Sequence, residues 1–414
     1  MMNHFHRKKV WLFFSAFAFF IWLFPVPVQA EQGKLPPVEA RSYYLMDFYS
    51  GVVLAAKDEE TPYPPASMTK MMTALVVLDD IQAGKLRWDD VVTVSKRAAD
   101  VEEAQIYLTE GEKITVKELF EAMLIYSAND ATVALAEHVG GSEEGFVNRM
   151  NEKAKEIGMN HTHFQGASGL DLHLYPDPPK VPGKHVMSAR DTAILASTLI
   201  QRHPEVLNVT ATTKYKVRPG TNREQTVTNW NLMLPGFVYA YPGVDGLKTG
   251  HTNAAGYCFT GTAQRDGYRL VSVVMGTAND QRRFSETKKL LDYGFDQFAF
   301  TTLVPEHGKV KGQESLALPN GVERTVPVEV EKAVSLPVQK GEQGKYSVKV
   351  EFDSNVKAPL EKGTIVGKAY VFYDGKKMEG FKPINVVTSQ SVEEGSWIRL
   401  FFRSVGDEIS SWFD

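Results

Sequence analysis

Apolar and polar residues alternate along Arg41–Phe48 and again along Val52–Ala56, around Tyr49-Ser50-Gly51. That spacing predicts a β-hairpin. A second alternating pair, Tyr257–Ala263 and Tyr268–Met275, flanks Arg265-Asp266-Gly267 and predicts another hairpin. Between the two pairs the period becomes helical. Met68 to Leu78 is apolar on most sides and free of Pro and Gly, which predicts a buried central helix. Pro64-Pro65-Ala66 marks its start and Gly84 its stop. Thr115-x-x-Glu118 is a capping box that opens a helix running to about Tyr126. Phe146, Met150, Ala154 and Ile157 form a helical stripe that ends at Gly158. First and last strands with helices between them predict an α+β fold over residues 35–300: an antiparallel sheet packed on a helical cluster. From Val304 to Val392 the texture changes to short alternating runs, such as Tyr346–Phe352 and Thr364–Tyr373, separated by Gly, Pro, Asn and Lys. This predicts a small all-β sandwich domain, with no cluster that suggests chemistry and so a spacer or partner-binding role.

The two ends read differently. His4, His6, Arg7, Lys8 and Lys9 precede an uncharged apolar run from Val10 through Val28, which closes on Val28-Gln29-Ala30. That is the pattern of a secretory signal peptide over residues 1–30, and Pro25, Pro27 and Ala30 suit a processing site better than an uncleaved anchor. In residues 396–414, Ile398, Phe401, Phe402, Val405, Ile409, Trp412 and Phe413 fall on one helical face, with Arg399, Arg403, Asp407, Glu408 and Ser411 elsewhere. This predicts an interfacial amphipathic helix, too short and too charged to span; a helix packed on the protein body is the alternative. The two Trp flanking the segment favour the lipid interface. An exported chain held peripherally at a membrane surface is expected.

Composition narrows the classes. A chain of 414 residues accommodates two or three domains. Its net charge of −4, with no Lys/Arg-rich block, gives no reason to expect nucleic acid as a partner. The single cysteine, Cys258, excludes an intrachain disulfide and lies in an apolar strand-like run that suits packing.

The candidate chemistry lies in three motifs whose order matters: Ser67-Met68-Thr69-Lys70, then Ser127-Ala128-Asn129, then Lys248-Thr249-Gly250. Ser-x-x-Lys alone carries little, since it recurs at Ser285/Lys288 and Ser354/Lys357. At Ser67 it opens the buried helix, so nucleophile and base share one face and Ser67 lies where free N–H groups favour developing negative charge. Lys70 must be neutral to accept a proton, and lowering a lysine from about 10.4 to pH 7 spans roughly 3.4 units, about 4.6 kcal/mol. Burial and a second cation, Lys248, both act in that direction. Ser127 can relay a proton to a leaving amine, and Asn129 can orient Lys70 and a substrate carbonyl from the turn between two helices. As an isolated pattern Ser-x-Asn would be a helix cap. Thr249 and Lys248 on a strand edge suit a substrate carboxylate, and Gly250 lets a substrate backbone approach. The N–H groups of Ser67 and His251 can form an oxyanion hole. The plain alternative for Lys248-Thr249-Gly250 is a surface turn leading into a strand.

With these motifs in place the chain resembles the low-molecular-mass penicillin-binding proteins, specifically serine-type D-alanyl-D-alanine carboxypeptidases. Pro64-Pro65-Ala66-Ser67-Met68-Thr69-Lys70, Gly243-Val244-Asp245-Gly246-Leu247-Lys248-Thr249-Gly250-His251-Thr252 and Ser188-Ala189-Arg190-Asp191 carry the likeness, which covers essentially the whole chain. The resemblance implies a β-lactamase/transpeptidase-like fold on the outer face of the bacterial cytoplasmic membrane. It implies removal of terminal D-alanine from peptidoglycan stem peptides, with β-lactam antibiotics acylating the same serine. It further implies Ser67 as the acyl-ester site, Lys70 as proton acceptor, Ser127 as third active-site residue and Lys248 as a substrate contact. Arg283, in Gln281-Arg282-Arg283-Phe284, is implied as the partner of the terminal carboxylate, with Arg282 as its competitor. No cofactor or metal is expected.

Ser127-Ala128-Asn129 departs from the Ser-Asp-Asn form of class A β-lactamases, and no glutamate stands between Glu156 and Glu205, where such an enzyme places its deacylating residue. Slow β-lactam turnover is therefore expected. Metal-dependent hydrolysis finds little support: His161-Thr162-His163, with His173 and His185 nearby, reads as scattered surface histidines, and no His-Glu-x-x-His or Gly-x-Ser-x-Gly occurs. Two alternatives stay open. One is a β-lactam sensor or cell-wall binding module acylated without peptide turnover, which the non-spanning tail disfavours. The other is endopeptidase cleavage of cross-links.

Overall fold

A computed structural model describes residues 34–410 of the chain, and side chains through residue 405. The expected leader lies outside the described residues, as do Trp412 and Phe413. Residues from Leu35 onward form one compact unit.

Its centre is a five-stranded antiparallel sheet built from β1 (Ser42–Asp47), β2 (Val53–Lys57), β3 (Val244–Thr252), β4 (Gly256–Arg265) and β5 (Tyr268–Thr277), in the spatial order β2-β1-β5-β4-β3. Both predicted hairpins are present. The chain leaves the sheet after β2 and returns at β3, which among the described residues has no strand partner on its outer side and forms an edge. Successive side chains on a strand point to opposite faces, and here both faces are covered. Tyr44, Met46, Cys258, Val271, Val273 and Met275 join the larger core with the helical cluster. Leu45, Phe259, Ala263, Leu270 and Val274 pack against α6 (Asp280–Gln297) on the other side.

The helical cluster surrounds α1 (Lys70–Gln82), entered through a 3-10 turn at Ala66–Thr69. Met71, Met72, Leu75, Val76, Val77 and Leu78 are all between 0 and 2% exposed. Burying each large side chain of this kind contributes about 1.5–3 kcal/mol, so Leu75→Ala would cost about 2–5 kcal/mol. α2 (Val116–Ile125) begins at the predicted capping box, in which Thr115 Oγ1 accepts from Glu118 N at 3.2 Å and the Glu118 carboxylate accepts from Thr115 N. α3 (Asn129–Gly140), α4 (Glu143–Glu156) and α5 (Ala189–Arg202) complete the cluster.

α6 ends at Gln297 and the chain passes directly into the strand Phe298–Val304, which pairs with Val334–Gln339 as a two-stranded ribbon. A six-stranded sheet lies over it, and the two share an apolar core that includes Val304, Leu318, Val326, Leu336, Val338, Val366 and Val371. The domain is therefore the expected all-β sandwich. The β1–β2 hairpin joins it to the peptidase fold: Val52 is part of its core, and Ser50 O accepts from Lys382 N at 2.9 Å. The terminal helix α7 (Trp397–Ser410) turns its arginines inward, with Arg403 donating to the carbonyls of Gly321 and Val322 at 2.9 Å each. Its Trp397, Ile398, Phe401, Phe402 and Val405 remain exposed. Among the described residues no helix is long and apolar enough to cross a membrane.

Candidate active site

The three motifs meet at one cavity of about 340 Å³, whose lining includes Ser67, Ser127, Asn129, Thr249, Gly250, His251 and Arg283. Lys70 and Lys248 lie just beneath the lining, 0 and 2% exposed. The approach of the walls depends on glycine at two points. A Cβ on Gly169, at φ +78°, would lie 1.9 Å from Ala66 O; one on Gly250 would lie 2.8 Å from Pro65 O. Only residues without a side chain let the two walls close on the nucleophile turn.

Ser67 sits on the 3-10 turn, preceded by Ala66 at φ +49°. Lys70 Nζ has three partners: Ser67 Oγ at 2.9 Å, Asn129 Oδ1 at 2.7 Å and Ser168 O at 2.8 Å. The Asn129 amide orientation follows from its other end, where Nδ2 donates to Glu102 O at 2.9 Å. Two of the three partners are carbonyl oxygens that can only accept. A neutral amine has two N–H donors and one lone pair. The two carbonyls take the donors, and the lone pair is left for the Ser67 hydroxyl proton. Electrostatics favours that state, since burial first and the nearby Lys248 charge second hold the Lys70 pKa well below the usual lysine value, against a smaller opposing pull from Asp130. Lys248 itself is brought down to about 7 by burial and by Arg283.

The carbonyl of Ser168 is held in turn. Ser168 Oγ is 2.5 Å from Tyr175 OH, which also donates to Glu143 Oε1 at 3.4 Å. Glu143 accepts from Ala167 N at 2.9 Å and faces Arg97 at 3.1 Å, and burial raises its pKa to about 7. Behind the nucleophile, His185 Nδ1 accepts from Gln165 N at 2.9 Å, so its proton is on Nε2, which donates to Thr69 Oγ1 at 2.8 Å. Thr69 Oγ1 in turn donates to Ala66 O at 2.8 Å. Burial, with His163 and Lys70, lowers His185 to about 3, so it stays neutral.

The reading of scattered surface histidines needs correction. His185 buttresses the Ser67 turn and His173 lines the cavity. Asn129 also differs: it is the first residue of α3, not a turn residue, because Ala128 occupies the cap position. Ser127 is the residue on the turn, at φ +66°, a conformation that costs a non-glycine residue about 1–3 kcal/mol. Its side chain makes no hydrogen bond among the described residues, while lying in the cavity wall. Lys248-Thr249-Gly250 lies within the edge strand β3, not on a surface turn.

Of the two neighbouring arginines, Arg283 faces the cavity. It is 4% exposed, donates to Gly250 O at 3.4 Å and pairs with Asp280, and among the described residues its Nε makes no hydrogen bond. Arg282 lies outside, against Glu39 and Glu286. Sequence reasoning missed Glu143, Tyr175, His185, Trp230 and the cavity carboxylates Glu103 and Asp171. Each reads locally as a capping acid, a core aromatic or a loop residue. Among the described residues no group of three or more His, Cys, Asp or Glu side chains could hold a metal ion.

Comparison with known proteins gives a consistent set. A family model described as D-alanyl-D-alanine carboxypeptidase matches residues 29–279, and one described as the C-terminal domain of penicillin-binding protein 5 matches residues 301–394. The chain is 32% identical to the D-alanyl-D-alanine carboxypeptidase DacF of Bacillus subtilis, over 89% of this chain and 90% of that protein. Penicillin-binding protein 5 from Haemophilus influenzae superposes with a TM-score of 0.73 at 31% identity, over 87% of this chain and 99% of that one. Penicillin-binding protein D2 from Listeria monocytogenes, solved in an ampicillin-bound form, matches 63% of this chain and 100% of its own, with a TM-score of 0.55 at 34% identity.

Proposed function

Because the chain belongs to the D-alanyl-D-alanine carboxypeptidase family, we propose that Ser67 carries the acyl group in its reaction, with Lys70, Ser127 and Asn129 serving it. The enzyme is a serine-type D-Ala-D-Ala carboxypeptidase. The observation that carries the assignment is the Lys70 amine, fully buried and 2.9 Å from Ser67 Oγ with both of its N–H donors already engaged.

Ser67 Oγ attacks the carbonyl carbon of the penultimate D-alanine while its proton passes to Lys70 Nζ. The resulting oxyanion is taken by the N–H groups of Ser67 and His251. Collapse breaks the C–N bond, and the leaving amine of the terminal D-alanine receives its proton through Ser127 Oγ. Water then attacks the ester, and the same groups run in reverse. Lys248, Thr249 and Arg283 hold the substrate carboxylate, and Gly250 gives its backbone room. A β-lactam presents its ring amide in place of the scissile bond and leaves a persistent ester on Ser67.

The first test is D-alanine release from diacetyl-Lys-D-Ala-D-Ala by the parent protein and by Ser67→Ala. Release that vanishes in the variant supports the assignment; equal release in both overturns it. Mass spectrometry after penicillin treatment reads the adduct, and rapid return to free enzyme counts against slow turnover.

The exposed apolar side of α7 supports peripheral attachment to lipid, and with the leader pattern it supports a place on the outer face of the cytoplasmic membrane. Phe401→Glu with Phe402→Glu is expected to abolish co-sedimentation with phosphatidylglycerol-containing vesicles while leaving peptide turnover in solution intact. Unchanged sedimentation sinks the lipid reading.

A further inference from the structure

The Ser127 side chain makes no hydrogen bond among the described residues, yet its backbone is left-handed at the place where the leaving amine must receive its proton. What fixes it from outside is Trp230. The indole Nε1–H donates to Tyr126 O, the carbonyl immediately before Ser127, at 2.9 Å. The same indole stacks on the Tyr126 ring, with centroids 5.8 Å apart and planes at 26°. The residues after Ser127 are held separately: Ala128 N donates to Ala122 O, Ala128 O accepts from Thr132 Oγ1, and Asn129 is bonded to Ala104 O through its N–H and to Glu102 O through its side chain, so Trp230 is the contact that holds the residue before Ser127.

Trp230 belongs to a segment pinned to the opposite wall of the cavity. Asn229 is 6% exposed, and its Nδ2 donates to Thr210 O at 3.0 Å and Thr212 O at 2.9 Å. Its Oδ1 accepts from Asn231 N at 2.9 Å. Asn231 Nδ2 then reaches Gly246 O at 3.4 Å, on β3 and two residues before Lys248. Trp230 itself is 45% exposed and lines the cavity, which burial for packing alone would not require.

We propose that Asn229-Trp230-Asn231 is a staple between the two walls of the cleft, in which Trp230 is the positioning residue for Ser127 and sets its reach toward the substrate held by the Lys248 strand. The inference rests on the proton-relay role given to Ser127 above. Among the described residues no hydrogen bond or ring contact joins Trp230 to Lys70, Lys248, Thr249 or Arg283, and Asn129, the partner of Lys70, is held by Ala104 and Glu102 instead, so the loss of Trp230 acts first on the relay step.

The test uses full-length enzyme and Trp230→Phe, which keeps an aromatic ring and removes the donor. kcat for D-alanine release is expected to fall about tenfold, the equivalent of one hydrogen bond. KM stays within about twofold and the acid limb of the pH profile does not move. Trp230→His, which retains a ring N–H, recovers part of the loss. Titration with fluorescent penicillin counts active sites, so a misfolded fraction does not register as lost kcat, and Trp230→Leu, which also lacks a donor, carries the same expectation if the Phe variant does not fold. The deciding measurement is a double-mutant cycle: in a Ser127→Ala background, Trp230→Phe adds no further loss. An additive loss overturns the staple while leaving the role of Ser127 standing. Unchanged kcat in Ser127→Ala alone removes that role and the proposal with it. A raised KM at constant kcat in Trp230→Phe also overturns the proposal.

Discussion

Replacing Lys248 with methionine is expected to stabilise the folded enzyme at neutral pH and destabilise it in alkali. The cause is the low folded-state pKa of this lysine, about 7 against an ordinary 10.5, set by burial and by Arg283. Between those two values the unfolded chain binds more protons than the folded one, so this group's contribution to stability rises with pH across that interval. When the lysine is fully protonated its burden on folding is about 5 kcal/mol. At pH 7, where half of the folded molecules already carry it neutral, the burden is about 4 kcal/mol, and at pH 10 it shrinks to about 1 kcal/mol. Methionine removes the burden at every pH but forfeits the bond from Lys248 Nζ to Thr249 O at 3.0 Å. An unsatisfied buried acceptor costs about 1–3 kcal/mol, independent of pH. The balance is a gain of about 2 kcal/mol at pH 7 and a loss of about 1 kcal/mol at pH 10. Lys70 reinforces the trend, because removing the Lys248 charge lifts one of the two influences that depress it. Denaturant unfolding of parent and variant at constant ionic strength from pH 6 to 10 reads the difference. The packing change shifts the whole curve, whereas the titration sets its slope, about 3 kcal/mol over three pH units. A stability difference that is flat with pH would refute the reasoning.

The acylation rate of Ser67 by a β-lactam rises with pH through the depressed pKa of Lys70, since only the neutral amine accepts the proton; in Lys248→Met that acid limb moves to higher pH, and stopped-flow acylation showing an unmoved limb contradicts the coupling. Arg283→Gln lowers kcat/KM for the D-Ala-D-Ala peptide by about 10–100-fold, the range of a charge-assisted bond, whereas Arg282→Gln stays within about twofold; equal losses at the two positions would remove Arg283 from the carboxylate site. Tyr175→Phe strips the hydroxyl between Ser168 and Glu143, lowering stability by about 1–3 kcal/mol and slowing acylation, because the carbonyl that accepts from Lys70 loses its brace; unchanged values of both would show that the loop holds itself.

What could be read from residues alone follows from how far apart the cooperating groups lie. Ser67 and Lys70 are one turn apart, and helical geometry fixes their relation whatever the rest of the fold does. The capping box at Thr115 and the two hairpins are likewise decided within about twenty residues, so alternation and turn chemistry were enough to predict an antiparallel sheet and its helical partner. The groups that escaped notice act across long gaps. His185 reaches Thr69 over 116 positions, Trp230 reaches Tyr126 over 104, and Ser168 reaches Lys70 over 98. No local pattern marks them, because a histidine in a loop or a tryptophan between two asparagines has many ordinary reasons to be there. Ser127 shows the same limit at close range: its left-handed backbone lies between residues that Ala104 and Trp230 hold from two other segments of the chain. A motif therefore identifies the atoms that react. The distant residues decide whether those atoms stand at reacting distance, and that division explains why Ser-x-x-Lys can recur twice in this chain with none of the accompanying site.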